Sequence, residues 1–282
     1  MRGVLNGLFA IGAHGGPQLF FLRMTFRFAS ALSLALMGSV FILPPPGARA
    51  ETISLLPVAD TTLFEVAPNN NLGGADFFNA GTAGNGNRNR ALLRFDFSES
   101  LPPGAVITRA ELTLEIVRQP RDGAANSFFG LRRTLQAWGE GAQVPAEANS
   151  PGLGAPAGTG EATWNAPFAG GSLWLVAGGH FSDSTSGLAP GGNLGGQLFF
   201  ESTSALVADL QRWVDHPEEN FGWTLASEDE ETGKTARSFA SRESGFGPLL
   251  TLQYAVVPEP AALSLVGLFL LLCAAIKTRA RR

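Results

Sequence analysis

The clearest hydrophobic periodicity in the chain lies between Asn87 and Phe97. Side chains alternate across a strand, so residues two apart share a face. Ala91, Leu93, Phe95 and Phe97 then line an apolar face, and Arg90, Arg94 and Asp96 share the other face with Leu92. A Gly/Asn loop, Gly81 to Asn87, precedes this strand, and a two-proline segment, Ser98 to Gly104, closes it. A second alternation runs from Arg109 to Val117. Ala110, Leu112, Leu114 and Ile116 point one way; Arg109, Glu111, Thr113 and Glu115 point the other. That pattern predicts a half-buried antiparallel strand.

Shorter strands are expected over Thr52–Leu56, Thr61–Val66, Asp76–Ala80, Phe128–Gln136, Gln197–Glu201, Phe221–Ala226, Ser238–Ser241 and Leu249–Tyr254. One helix is expected, capped by Ser204 and ending at Asp215. Leu206, Leu210 and Trp213 follow its i, i+4, i+7 spacing. Gly, Ala, Pro and Ser dominate residues 141–196. A stretch that long without periodicity reads as an insertion, mobile except where its tryptophans anchor it. Many short strands with turn signals between them, and at most one helix, indicate an all-β antiparallel sandwich.

The two ends have a different pattern and read as addresses rather than as parts of that fold. An apolar run, Ala31 to Leu43, follows Arg23 and Arg27 and precedes Ala48-Arg49-Ala50. This is a basic region, an apolar region and a small-residue cleavage site, so residues 1–50 are expected to be an N-terminal extension with a signal peptide cut after Ala50. Translation from Met1 or from Met24 fits this equally well. At the other end Pro258-Glu259-Pro260 precedes an apolar run, Ala261 to Ile276, and then Lys277 and the arginines Arg279, Arg281 and Arg282. The run has 16 residues, against roughly 20 for a full bilayer crossing. The basic end is expected to stay on the cytoplasmic side.

Charge narrows the function of the segment between them, residues 51–257. It carries 12 Lys+Arg against 23 Asp+Glu, a net of −11. That balance argues against nucleic acid as a partner. The chain's one cysteine, Cys273, lies in the tail, so the exported domain has no disulfide and no cysteine-based metal site.

The chemical motifs are sparse. Gly233-Lys234-Thr235 lacks the earlier glycine of a phosphate-binding loop, since position 228 is Glu. His180 and His216 are too few for a histidine metal cluster. Glu140, Glu161, Glu201 and Glu243 are the acids available for a glycosidase pair, although Ser241-Arg242-Glu243 reads as a structural ion pair. The run Glu228-Asp229-Glu230-Glu231 reads as a solvated hairpin tip. Asp60, Asn69, Asn71 and Asp76 offer the hard oxygens that a structural calcium prefers. Trp138, Trp164 and Trp174 serve either as sugar-stacking platforms or as buried anchors.

Two resemblances organise these observations. The Pro258-Glu259-Pro260 motif, short apolar run and arginine end resemble a PEP-CTERM sorting signal over residues 258–282. That family implies an exosortase partner, a transmembrane helix in the inner membrane of a Gram-negative bacterium during export, and a mature protein at the cell surface or in the extracellular matrix. The intervening domain resembles a DNRLRE-type module, grouped with carbohydrate-binding module family 96. The pieces that carry the resemblance include Pro57-Val58-Ala59-Asp60-Thr61, Asn71-Leu72-Gly73, Arg90 through Ser98, Trp138-Gly139-Glu140, Thr163-Trp164-Asn165-Ala166-Pro167, Phe221-Gly222-Trp223 and Ser241-Arg242-Glu243. The resemblance implies a jelly-roll-like sandwich and binding of an acidic exopolysaccharide by basic residues. Mapped by position, these are Arg88, Arg90 and Arg94. The function expected is therefore that of a non-catalytic exported protein that contacts polysaccharide. The alternatives are a structural or adhesive matrix protein without glycan binding, or a polysaccharide lyase or hydrolase.

Overall fold

A computed structural model describes residues 50–145 and 153–256. Residues 1–49 of the leader, which is expected to end at Ala50, and the sorting signal at 258–282 lie outside the described residues. Thirteen strands and one helix follow in chain order. They are β1 (Ala50–Leu55), β2 (Pro57–Phe64), β3 (Asn70–Asn71), β4 (Phe77–Thr82), β5 (Arg88–Phe95), β6 (Ala105–Arg118) and β7 (Phe128–Thr134). Next come β8 (Ala155–Pro156), β9 (Phe181–Pro190), β10 (Gln197–Phe200), α1 (Ser204–Asp215), β11 (Trp223–Ser227), β12 (Arg237–Ala240) and β13 (Leu249–Val256). Among the described residues no helix is long and apolar enough to cross a membrane.

All strand pairings are antiparallel. The main sheet runs β1-β13-β6-β12-β4-β5-β11-β7-β9, with β10 added to β6 and β2 added to β5. It curls at β4. This strand pairs with β12 from Phe77 to Ala80, then meets β5 only through Gly81–Asn89 and Thr82–Arg88. Gly81 makes that corner possible. Its φ is +100°, and a Cβ there would lie 2.7 Å from the Thr235 carbonyl oxygen, so an L side chain meets both backbone strain and a clash.

The curl brings two sheet faces together over one core. β6 contributes Ala110, Leu112, Leu114 and Ile116, the face its alternation predicts, and β5 contributes Ala91, Leu93 and Phe95. A register shift in the β6–β13 ladder between Gln253 and Tyr254 lets Ile107 join the same face. The helix closes one side through Leu206, Leu210 and Trp213. Its cap is Thr203 rather than Ser204: the Thr203 hydroxyl accepts from the Leu206 N–H at 3.0 Å. Trp213 meets Trp223 edge-on at 4.6 Å between centroids, and Phe95 meets Trp223 at 6.2 Å. Such pairs add about 0.5–1.5 kcal/mol beyond burial.

The described part of the 141–196 segment departs from expectation. It supplies β8 and the ten-residue β9, which pairs with β7. The strand Phe181–Pro190 reads Phe-Ser-Asp-Ser-Thr-Ser-Gly-Leu-Ala-Pro, with no apolar alternation, so its order comes from the ladder and not from a hydrophobic stripe. Gly81→Ala is expected to lower folding stability by about 2 kcal/mol or more in denaturant titration. Wild-type stability in that variant would mean that the corner does not constrain the curl.

Candidate functional site

The three arginines that sequence alone picks out have different fates. Arg90 is buried, with 8% of its surface exposed. Its Nε and one terminal nitrogen donate to the two Glu230 carboxylate oxygens, both at 2.7 Å, and its other terminal nitrogen donates to the Gly178 carbonyl at 2.9 Å. The guanidinium lies 5.0 Å from the Trp164 ring and 5.1 Å from the Phe181 ring. Arg88 is bound to Glu65: its backbone N–H and Nε both donate at 3.0 Å. The Arg88 hydrogen bond holds the Glu65 carboxyl below the usual carboxylate range.

A lid of side chains seals this face of β5. Leu92 packs with Leu63, Trp138, Ala162, Trp164 and Trp174 in a second apolar cluster. Each of the three tryptophans is buried. The indole N–H of Trp138 donates to the Phe221 carbonyl at 2.8 Å, and that of Trp174 to the Thr163 carbonyl at 2.7 Å. They serve as anchors, and their rings are not open platforms for sugars. The acidic run is also not a free hairpin tip. Glu230 clamps Arg90, and Glu228 binds Arg132 at 2.8 and 3.0 Å.

A second cluster gathers Asp60, Glu140 and Glu243, with one carboxylate oxygen of each within 4.8 Å of the others. The Asp60 backbone N–H donates to Glu140 at 2.8 Å, and the Arg242 backbone N–H donates to the Asp60 carboxylate at 2.9 Å. The Arg242 side chain grips Glu140 at 2.6 and 2.9 Å and Glu243 at 2.9 Å. Burial pushes the Asp60 carboxyl up to about 8, with the Glu243 and Glu140 charges acting in the same direction. Of the oxygens expected for calcium, Asp60 joins this carboxylate trio. Asn71 spends its side chain on Thr61, the Glu140 and Ala162 carbonyls and the Gly73 N–H. Arg242 is the positive charge that faces the carboxylate trio.

Arg94 is different. Among the described residues its side chain makes no ion pair or hydrogen bond, and its guanidinium lies 5.4 Å from the Trp138 ring. It lines a cleft of about 610 Å³ between the end of β5, the Ser98–Gly104 turn and the C-terminal end of α1. Asp96 and Asp215 are the other charged side chains of that cleft. Asp96 is held below the usual carboxylate range by the backbone N–H of Ser98, with Arg94 adding to the effect. Trp213 and Asn220 also line it. Sequence reasoning reached Arg94 through strand alternation but missed Asn220, a single polar residue in a turn with no periodic signal.

A folded Asp60 keeps a proton that the unfolded chain gives up near its ordinary value of 3.8. The stability this proton contributes is complete below that value and declines as pH rises toward 8, by at most about 1.4 kcal/mol per pH unit. Asp60→Asn keeps the shape of the protonated acid and should flatten the slope. Melting temperatures of variant and wild type should differ least near pH 4 and diverge in the variant's favour up to pH 8. Parallel curves would show that Asp60 is ionised in the fold throughout.

Compared with protein-family models and with curated proteins, the chain matches none.

Proposed function

We propose that the chain is an exported, non-catalytic surface or matrix protein whose curled sheet is a jelly-roll-like sandwich that contacts polysaccharide. The observation that carries this reading is Arg94: the one arginine of β5 left without an internal partner stands at the rim of a cleft. Clefts of this size are ordinary ligand sites, and an arginine on an aromatic face presents several N–H donors in a fixed plane. Arg88 and Arg90 act through the fold, by holding Glu65 and Glu230, and not by meeting the polymer.

The carboxylates favour a non-catalytic role. A glycosidase needs its two acids about 5–10 Å apart across a cleft. Glu140 and Glu243 are both held by Arg242, and neither lines the Arg94 cleft. The leader and the PEP-CTERM-like tail support export through the inner membrane and processing by an exosortase.

Affinity electrophoresis of the full chain tests the contact. Gels containing alginate, or a neutral galactomannan, should retard the wild type. Arg94→Ala, with its melting temperature unchanged, should lose most of that retardation, a drop of about tenfold in apparent affinity. Equal mobility of the wild type with and without every polymer tried would contradict the reading.

A further inference from the structure

A second cleft, of about 690 Å³, lies where β6 ends. Ala105, the first residue of β6, lines the Arg94 cleft, and Arg118, the last, lines this one. The strand between them has 14 residues, so the clefts are roughly 40 Å apart. Residues 51–257 carry a net −11, yet no Asp or Glu is among the described residues that line this cleft, and two arginines are. Arg237 is 2% exposed and donates only to carbonyls, those of Gly192, Thr235 and Ala125 at 2.8, 2.7 and 3.1 Å. Burial holds its pKa below the usual range. No carboxylate neutralises it, so it adds positive potential to the wall without itself touching a ligand. Arg118 is exposed, and its guanidinium lies 3.8 Å from the Phe77 ring. Its side chain makes no ion pair or hydrogen bond among the described residues. An arginine seated on a ring keeps its N–H donors for an anion.

The rest of the lining says what carries that anion. Gln119 accepts from the Leu194 N–H at 2.9 Å, and Asn85 accepts from the Asn87 N–H at 3.3 Å. Their amide nitrogens, and both polar side-chain atoms of Asn87, have no partner among the described residues. Asn85 is exposed, Asn87 and Gln119 are half-buried, and none of these atoms is enclosed. Carboxamides complement the N–H and C=O groups of a peptide backbone. Val66, Val117, Leu153 and Leu194 line the same cleft and are exposed. Apolar side chains rimmed by polar ones mark a docking surface. No aromatic ring lines it, and sugars stack on flat rings, whereas aliphatic side chains suit one another. We propose that this cleft docks an extended acidic peptide segment of a partner protein. Arg118 pairs with a carboxylate, Asn85, Asn87 and Gln119 bond the peptide backbone, and the four aliphatic residues take an aliphatic side chain. The inference goes beyond the polysaccharide contact and does not rest on it, since the two clefts lie at opposite ends of β6.

Random dodecapeptides displayed on phage, selected on the full wild-type chain and counter-selected on Arg118→Glu, test the docking. Recovered peptides should combine Asp or Glu with Leu, Ile or Val. A fluorescein-labelled synthetic copy of the most enriched peptide is then followed by anisotropy. Its affinity should fall about tenfold in Arg118→Ala and should also fall at high NaCl. Leu194→Asp, at an exposed position, should weaken it as much and serves in place of Arg118→Ala if that variant does not keep the wild-type melting temperature. Alginate oligosaccharide should not displace the peptide. Recovery of peptides without acids, or unchanged affinity in a folded variant, would overturn the docking. Displacement by alginate oligosaccharide would assign the cleft to an acidic glycan and overturn the peptide.

Discussion

The structure depends on the burial of β5 from both sides. Ala91, Leu93 and Phe95 face the main core, while Leu92 and Arg90 lie beneath the tryptophan cluster. Burying an arginine demands a partner, because an unpaired charge in an apolar setting costs several kcal/mol. Glu230 supplies that partner at 2.7 Å on both oxygens, and the Gly178 carbonyl takes the remaining terminal nitrogen. One ion pair thus ties the β11–β12 connection and the tryptophan-bearing segment to the central strand. Such a pair is weak evidence for net stability, but it fixes which segments sit where.

That constraint separates Arg88 and Arg90, held by Glu65 and Glu230, from Arg94, whose side chain lines the cleft. β5 carries three arginines within seven residues, and the fold uses two of them internally. Arg94 escapes because it lies near the strand end, where the covering segment gives way to the cleft. The same end of the molecule holds the two unsatisfied polar atoms. At the other cluster, three carboxyl groups meet around Arg242, and burial raises the Asp60 carboxyl to about 8. This cluster ties β2, the Trp138-Gly139-Glu140 motif and the Ser241-Arg242-Glu243 motif together, so motifs scattered along the chain converge on one point.

Much of this was legible in the amino-acid pattern. The faces of β5 and β6, and the buried stripe Leu206, Leu210 and Trp213 of α1, follow directly from periods of two and of 3.6. What stayed hidden depends on pairing between distant segments. Nothing near Glu230 announces a partner 140 residues away, so a run of four acids reads as solvated. The polar strand Phe181–Pro190 has no stripe and is ordered by its neighbour β7. Gly and Ala in the covering segment read as loose chain, yet small residues let Trp164 and Trp174 settle closely on the strand below. The cleft is the least legible feature. Its lining joins a helix tryptophan to a lone asparagine from the turn that follows, and only the fold brings them together.

The central claim is that the covered arginine face is structural and that the Arg94 cleft is where the molecule meets its ligand. Hydrogen–deuterium exchange on the full chain tests it most directly, with and without saturating manno-oligosaccharide and alginate oligosaccharide. The account predicts ligand-induced protection confined to the amides of residues 96–105 and 213–221. Protection centred on Arg88–Arg90 and on residues 162–179, with the cleft unchanged, would contradict it.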